Sequence, residues 1–354
     1  MDSLDKLLRN VQKKFGEGSL VMPKEGYSNM IERIPVSSPK IGDVFGGGGI
    51  PRGRIIELFG PESSGKTSLA SYLAGQVQRH YFEDKKRKGL VAFIDAEHAF
   101  DPEYAETLGF DSRKALFSQP NSGEQALDIT LELVESGEVD FIIVDSVAAL
   151  TPRSELEGEM GDMQMGAQAR LLGKGVRKIT AALDQSKCSL LFINQLRSNI
   201  GGYGNPEVTP GGKALKFFSS IRIEIRKIEF MNEKNEIIGL RSRIKGVKNK
   251  TAPPMKKHEI EMFFGRGFDV DLEWVDFAIL HGVVKQAGAW FNILNNEEKL
   301  QGKHRVIEYL KNNPEEYNEV IEKTKKIMYH SIKNEQVADE KESEELEELE
   351  EVKD

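Results

Sequence analysis

The chain has one cysteine among its 354 residues. A single thiol can neither close an intramolecular disulfide nor build a thiolate zinc cluster, so a disulfide scaffold and a cysteine-based metal site are both excluded. Cys188 opens the apolar run CSLLFI, where a buried, inert thiol is expected. Long hydrophobic runs are also missing, and nothing approaches the roughly 18 apolar residues that a membrane span needs. The opening segment MDSLDKLLRNVQKKF is amphipathic and mixed in charge, without the continuous apolar stretch of a secretion signal, so a cytoplasmic protein without membrane contact is expected. Nor is there a surplus of positive charge: the formal net is −8, which would argue against a nucleic-acid partner if it were spread evenly. It is concentrated instead. Residues 335–354 hold eleven acids and two lysines, a net of −9, and leave residues 1–334 at +1. Blocks of like charge repel one another and stay solvated, so this tail is expected to be disordered, as a passive solubiliser or as a competitor for basic surface.

At this length the expectation is two domains, or one large α/β core with attachments. Residues 4–15 set Leu4, Leu7, Leu8, Val11 and Phe15 at steps of three and four, an apolar stripe on a short helix that must lie on something else. The long middle alternates apolar strands with helical segments. RIIELFG, LVAFIDAE, DFIIVDS and SLLFINQ are strands, separated by the helical SLASYLAGQVQRH, EQALDITLELVES and ARLLGKGVRKITAAL. Such βαβ units build a mostly parallel sheet buried on both faces. IRIEIRK, IIGLRSRIKGVKNK and HEIEMFF alternate apolar and charged residues without helices between them and read as antiparallel strands added to one edge. From about residue 270 the pattern turns helical, which suggests a separate small C-terminal domain. There is no internal repeat.

Gly60-Pro61-Glu62-Ser63-Ser64-Gly65-Lys66-Thr67 fits the P-loop pattern and falls between a strand and a helix that begins near Ser68, as the mechanism requires. Its glycines let the backbone N–H groups and the helix N-terminus face phosphates, Lys66 reaches the β and γ oxygens, and the Thr67 hydroxyl reaches Mg²⁺. The strand Phe141–Val144 ends in Asp145, where a carboxylate beside a P-loop can hold the Mg²⁺ shell. A further strand ends in Asp95-Ala96-Glu97. Glu97 can deprotonate the water that attacks ATP, or it can cap the next turn. A fourth strand ends in Asn194-Gln195 and runs into sixteen residues rich in Gly, Pro and Asn, from Arg197 to Gly212, that read as a long mobile loop. The Gln195 amide could sense the γ-phosphate and pass its position to that loop. Residues 157–166 carry three methionines among glycines and acids, to insert against bases or to fill gaps under a flap.

Together GPESSGKTSL, FIDAEHAFDPEYA, IIVDSVAALTPRSELEGEMGD, FINQLR, GNPEVTPGGKALKFFSS, KNKTAPP and KQAGAW resemble, in order, segments of the bacterial RecA family of ATP-dependent strand-exchange recombinases, over roughly residues 1–310. The resemblance implies a P-loop NTPase core with a mostly parallel central sheet and antiparallel edge strands. It also implies an N-terminal oligomerisation helix and a small C-terminal α/β domain. Its division of the chain is an N-terminal segment over 1–33, the ATPase core over 34–268, a C-terminal domain over 269–333 and the acidic tail over 334–354.

By the same resemblance Glu97 activates water, Asp101 and Tyr104 contact adenine, and Gln195 senses the γ-phosphate. Residues 157–166 and 196–210 are the two DNA-binding loops. Arg170, Arg177, Arg197, Gly211 and Gly212 fall on phosphate-binding positions, and Met165 and Ile200 on residues that wedge between base triplets. Lys248 and Lys250 match lysines that reach a neighbouring subunit's phosphates; their spacing alone would equally suit a solvated basic hairpin. The implied partners are single-stranded DNA, double-stranded DNA, further copies of the chain in a helical filament, and a self-cleaving repressor. The implied cofactors are ATP and Mg²⁺. Other readings of such a core are a ring-forming helicase and a signalling scaffold.

Departures from the family pattern are few. Tyr203 stands where Phe is usual, Phe264 where Tyr is frequent, and Gly173 where a hydroxyl residue supplies a phosphate donor; residues 79–88 are longer and more charged, as an extended helix end or a surface loop. Residues 311–333 match in helical character alone, and Lys303 is the best candidate in the C-terminal domain for gathering DNA.

Overall fold

A computed structural model describes residues 3–16, 20, 31–84, 89–159, 166–198, 207–293 and 299–328. Met165, Ile200, Tyr203 and the acidic tail lie outside the described residues, as does most of each expected DNA-binding loop. The chain divides into two units, 1–32 and 33–354.

The first unit contains α1 (Ser3–Phe15), on which Leu4, Leu7 and Phe15 are exposed. The second opens with β1 (Arg33–Pro35), α2 (Pro39–Phe45), β2 (Gly49–Pro51) and β3 (Ile55–Gly60), then α3 (Lys66–Asp84), β4 (Val91–Asp95), α4 (Pro102–Thr107) and β5 (Leu116–Ser118). Next come α5 (Gly123–Glu135), β6 (Phe141–Asp145), α6 (Arg153–Leu156), α7 (Ala167–Ser186), β7 (Ser189–Gln195), β8 (Arg197–Ser198), β9 (Glu207–Val208) and α8 (Ala214–Phe218). The edge strands are β10 (Ile221–Glu233), β11 (Glu236–Asn249), β12 (Lys257–Phe263) and β13 (Gly267–Phe268). The C-terminal lobe has α9 (Val270–Leu280), β14 (Val284–Ala287), β15 (Trp290–Ile293), β16 (Lys299–Gln301), α10 (Lys303–Asn312) and α11 over 314–328.

Nine strands form one sheet in the order β13-β12-β11-β10-β3-β7-β6-β4-β5. From β10 to β5 every pairing is parallel, whereas β10 to β13 pair antiparallel, so the expected mixed sheet is the one observed. Period-two alternation sorts the parallel strands onto two cores. Phe141 and Ile143 face α3, packing with Leu69, Leu73 and Val77. Ile142 and Val144 face α5 and α7, packing with Leu127, Leu172, Val176 and Ile179. Cys188 is fully buried in this second core, as its apolar setting predicts.

Residues 79–84 continue α3, in line with an extended helix end, while two other stretches depart from the plain pattern reading. The β10–β11 hairpin runs on to a two-residue turn at Lys234 and Asn235, whose φ of 48° and 71° supply the twist a tight hairpin favours. The C-terminal lobe inserts a three-stranded antiparallel sheet between its helices, which a helical period cannot report because each strand has only three or four residues. No helix among the described residues is long and apolar enough to cross a membrane.

Candidate nucleotide site and DNA-facing surface

Parallel strands end side by side, so the chemistry at their C-terminal ends converges on one edge. β3 ends in Gly60 and leads through the P-loop into α3, while β4 ends in Asp95, β6 in Asp145 and β7 in Gln195. Gly60 is required sterically: a Cβ there would lie 2.0 Å from the Ile225 carbonyl oxygen. Gly65 has φ +94°, a conformation side chains resist, and it lets the loop curl into the helix. Pro61 is half-buried and Glu62 and Ser63 are exposed along the rim. Ser64 is buried beneath them with its Oγ unpartnered among the described residues.

Lys66 is buried, and its Nζ donates to the Pro61 carbonyl at 2.7 Å. Burial lowers its pKa, opposed by Asp145, Glu97 and Glu62. Thr67 Oγ1 donates to Asp145 Oδ2 at 2.7 Å. Burial pushes the Asp145 carboxyl up to about 6 against the Thr67 hydrogen bond, and the nearby Glu97 and Asp95 charges add to the rise. One hydroxyl and one buried carboxylate are the oxygen donors a Mg²⁺ ion takes from protein when phosphates and water complete its shell. These residues therefore fit the ion. No cluster of three or more His, Cys, Asp or Glu among the described residues forms a cage of its own.

Glu97 is exposed, and its Oε1 accepts two hydrogen bonds, a short one from Ser146 Oγ and one from Gln195 Nε2 at 3.0 Å. Its Oε2 accepts none among the described residues. Asp95 plays a structural part. It is buried, accepts from the backbone of Ala99 and Phe100 and from Gln119 Nε2, and so fixes the turn that presents Glu97. Asp101 caps α4 by accepting from the Tyr104 N–H at 3.0 Å, and the Tyr104 hydroxyl lies 3.4 Å from Ser68 Oγ. Phe264 is exposed after β12, its N–H donating to the Ile238 carbonyl.

The root of the long loop is tied to the same edge. Asn194, fully buried, donates through Nδ2 to Glu57 Oε1 at 3.0 Å and to the Pro210 carbonyl at 3.3 Å, while its Oδ1 accepts from the Gln195 N–H at 2.9 Å. Arg222 Nε completes Glu57 at 2.5 Å. The two described ends of the loop are joined: β8 pairs with β9, and Arg226 pairs with Glu207 of β9. Gly211 and Gly212 pack on α7, where a Cβ would lie 2.3 Å from Leu172 Cδ1 and 2.8 Å from Ala169 Cβ respectively.

On α7, Arg170, Lys174 and Arg177 are exposed at spacings of four and three, so they share one face. Arg197 is exposed on β8. At Gly173 a Cβ would meet Ala214 Cβ at 3.8 Å, ordinary contact, so the missing hydroxyl is not forced by packing.

Lys248 and Lys250 are elsewhere. Lys248 pairs in register with Arg222, which lies beside Glu57 toward the N-terminal end of β3, whereas the P-loop follows its C-terminal end. Lys248 Nζ donates to the carbonyls of Lys216 and Phe217 at 2.7 and 3.0 Å. Burial lowers its pKa, with Lys250 and Arg222 acting in the same direction. Neither lysine is brought to the P-loop of its own chain.

Sequence reasoning did not single out Ser146, Asn194, Glu57 or Lys174 as members of the site. Ser146 follows Asp145 directly and Asn194 precedes Gln195, so adjacency to a strand-end functional residue was the available signal. Glu57, in the middle of an apolar strand, was visible as a charge that burial would force into partnership.

A family model for the RecA N-terminal domain matches residues 2–269, and one for the RecA C-terminal domain matches residues 273–328. Among curated relatives, Protein RecA of Streptomyces rimosus is 46% identical over 334 residues, covering 94% of this chain and 87% of its own length. Protein RecA of Clostridium novyi (strain NT) is 45% identical over 343 residues, 96% of this chain and 95% of that one. Protein RecA of Brucella anthropi is 47% identical over 320 residues, 90% and 86% respectively. A nucleotide edge whose carboxylate is hydrogen-bonded to the root of a long loop, with both domains matched at this identity over nearly the whole length, is explained in one way: the chain belongs to the RecA family, the DNA-dependent ATPases of homologous recombination and DNA repair.

Proposed function

We propose that the chain assembles as a helical filament on single-stranded DNA, aligns double-stranded DNA with it and exchanges strands, with ATP acting mainly as a switch. The observation that carries this reading is the pair of hydrogen bonds on Glu97 Oε1, one from beside Asp145 and one from Gln195 at the root of the long loop. One carboxylate thereby meets both the chemistry and the DNA-facing side. Its Oε2 takes the proton from the water that attacks the γ-phosphate, while Ser146 and Gln195 hold the group in place. The backbone from Gly60 to Ser68 cradles the phosphates, and Lys66 stabilises the charge that develops on them. Thr67 and Asp145 would hold Mg²⁺, which when bound neutralises the β- and γ-oxygens. Asp101 and Tyr104 lie against the adenine.

When Gln195 turns from Glu97 toward a γ-phosphate, the movement is transmitted through Asn194 to the loop that ends at Pro210. Arg170, Arg177, Arg197 and the Gly211 and Gly212 amides hold DNA phosphates, and Met165 and Ile200 separate base triplets. Lys248 and Lys250 serve the nucleotide of a neighbouring subunit, on which α1 lays its apolar stripe; a heterologous contact of this kind builds open filaments. The ATPase core spans 34–268 between an oligomerisation segment over 1–33 and the C-terminal domain over 269–333. The tail over 334–354 competes with DNA for basic surface. The compartment is the cytoplasm, and a self-cleaving repressor is a further partner in the damage response.

ATP hydrolysis measured with and without single-stranded DNA, alongside electron microscopy, tests this. Stimulation by DNA together with extended filaments is the expected result; DNA-indifferent hydrolysis by discrete rings overturns it.

A further inference from the structure

A cleft of about 730 Å³ opens between the far part of α3 and the C-terminal lobe, away from the nucleotide edge. α3 contributes Gln76, Arg79 and His80, β1 contributes Arg33, α9 contributes Trp274 and α11 contributes Lys325. No aspartate or glutamate lines it among the described residues. The cations differ in what they are free to do. The Arg33 guanidinium is committed to the carbonyls of Phe45, Gly49 and Thr251 and holds the wall in place. Arg79 makes no ion pair among the described residues and reaches only Ser37 Oγ, at 3.5 Å. Lys325 pairs with Glu322 at 2.8 Å, three residues away on an exposed helical surface, a contact of the kind that exchanges readily for a stronger anion.

The floor is rigid. Gln76 is 3% exposed, and its Oε1 accepts from both the N–H and the Oγ of Ser37, at 3.0 and 2.6 Å. Its amide N–H groups donate to nothing among the described residues, which leaves an open donor at the base of a cationic cleft. The Trp274 indole N–H donates to the Ser37 carbonyl at 3.0 Å, and Lys325 Nζ lies 5.8 Å from the indole ring centre. A fixed amide donor with a guanidinium and an ammonium from opposite walls is the donor set that multiply charged phosphates take. The cleft has the volume of a nucleotide-sized ligand site, and its concavity suits a small anion rather than a duplex.

We propose that this cleft is a second phosphate site, taking a small anion with a di- or triphosphate group between Arg79, Gln76 and Lys325. Because α3 begins at Lys66 and Thr67, the anion ties the C-terminal lobe to the helix that carries the P-loop.

The chain has two tryptophans, so the Trp290→Phe protein reports Trp274 alone. With the P-loop saturated by ADP, inorganic tripolyphosphate is expected to change Trp274 emission saturably, with a midpoint below about 1 mM. Adding Arg79→Ala and Lys325→Ala is expected to raise the midpoint by about tenfold or more. ATP hydrolysis with single-stranded DNA checks that this variant is folded. In a Lys66→Ala background the response is expected to persist, which separates this site from the P-loop and from the function proposed above. No saturable change, an unshifted midpoint in the Arg79 and Lys325 variant, loss of the response with Lys66→Ala, or a response to a DNA duplex and not to tripolyphosphate would each overturn the proposal.

Discussion

The nucleotide edge and the α7 face handle charge in opposite ways. At the edge, Lys66, Asp95 and Asp145 are buried, and each has a named partner on a neighbouring strand or loop. On α7, Arg170, Lys174 and Arg177 stand exposed along one face. Burial makes a charge depend on exact neighbours, because an unpaired buried ion is expensive. Exposure makes it depend on the period of the helix and on what arrives from outside. The edge is therefore a built site before any ligand binds, whereas the α7 face is, under the proposed function, an electrostatic platform for DNA to complete. Asn194 and Gln195 join the two, one holding the end of the loop and the other the carboxylate.

The contrast is sharpest at the P-loop. Lys66→Ala should abolish productive ATP binding and lower hydrolysis by about a thousandfold, whereas Glu97→Gln should hydrolyse poorly yet keep ATP-dependent DNA binding. Nucleotide-binding, hydrolysis and DNA-binding assays on both variants separate the roles; wild-type hydrolysis by Glu97→Gln would remove it from the catalytic position.

Partnership at the edge also carries stability. Arg222→Met leaves the fully buried Glu57 carboxylate with only the Asn194 amide, and should cost about 3–5 kcal/mol in denaturant unfolding. A loss within the error of the measurement would show that Glu57 does not depend on the arginine.

A second buried carboxylate lies at the joint with the C-terminal lobe. Glu273 accepts from Ser38 Oγ, and burial pushes it up to about 7 from 4.5 against that hydrogen bond and Lys40, with Asp276 adding to the rise. Between those values the folded chain keeps a proton that the unfolded chain releases, so this residue's contribution to stability declines as pH rises from about 4.5 to about 7 and is level above. Denaturant midpoints at pH 5 and pH 8 should therefore move in favour of Glu273→Gln at the higher pH. A constant difference between the two proteins would contradict the assignment.

The smallest effect belongs to the exposed face. Arg177→Ala should weaken DNA binding nearly uniformly across sequences and make the plot of log affinity against log salt shallower by about one unit. An unchanged slope would take Arg177 off the DNA path.

The buried part of this molecule was legible because local sequence imposes it. Four apolar strands ending in Gly60, Asp95, Asp145 and Gln195 announced both the sheet and the edge where chemistry collects. The bonds between them were not legible. That Ser146 and Gln195 share one oxygen of Glu97, or that Asn194 reaches Pro210, depends on strand order, which alternation along one strand does not specify. Lys248 shows the opposite limit. Its spacing from Lys250 suited a shared target, yet within its own chain it closes the end of α8 on the carbonyls of Lys216 and Phe217.

The central claim is that Gln195 couples the nucleotide edge to the DNA-facing loop through Glu97. It is tested most directly by the ratio of ATP hydrolysis with saturating single-stranded DNA to hydrolysis without it, for the wild-type and Gln195→Ala proteins. The account predicts a large ratio for the wild type and one that falls close to unity for the variant; a variant that keeps the wild-type ratio would contradict it.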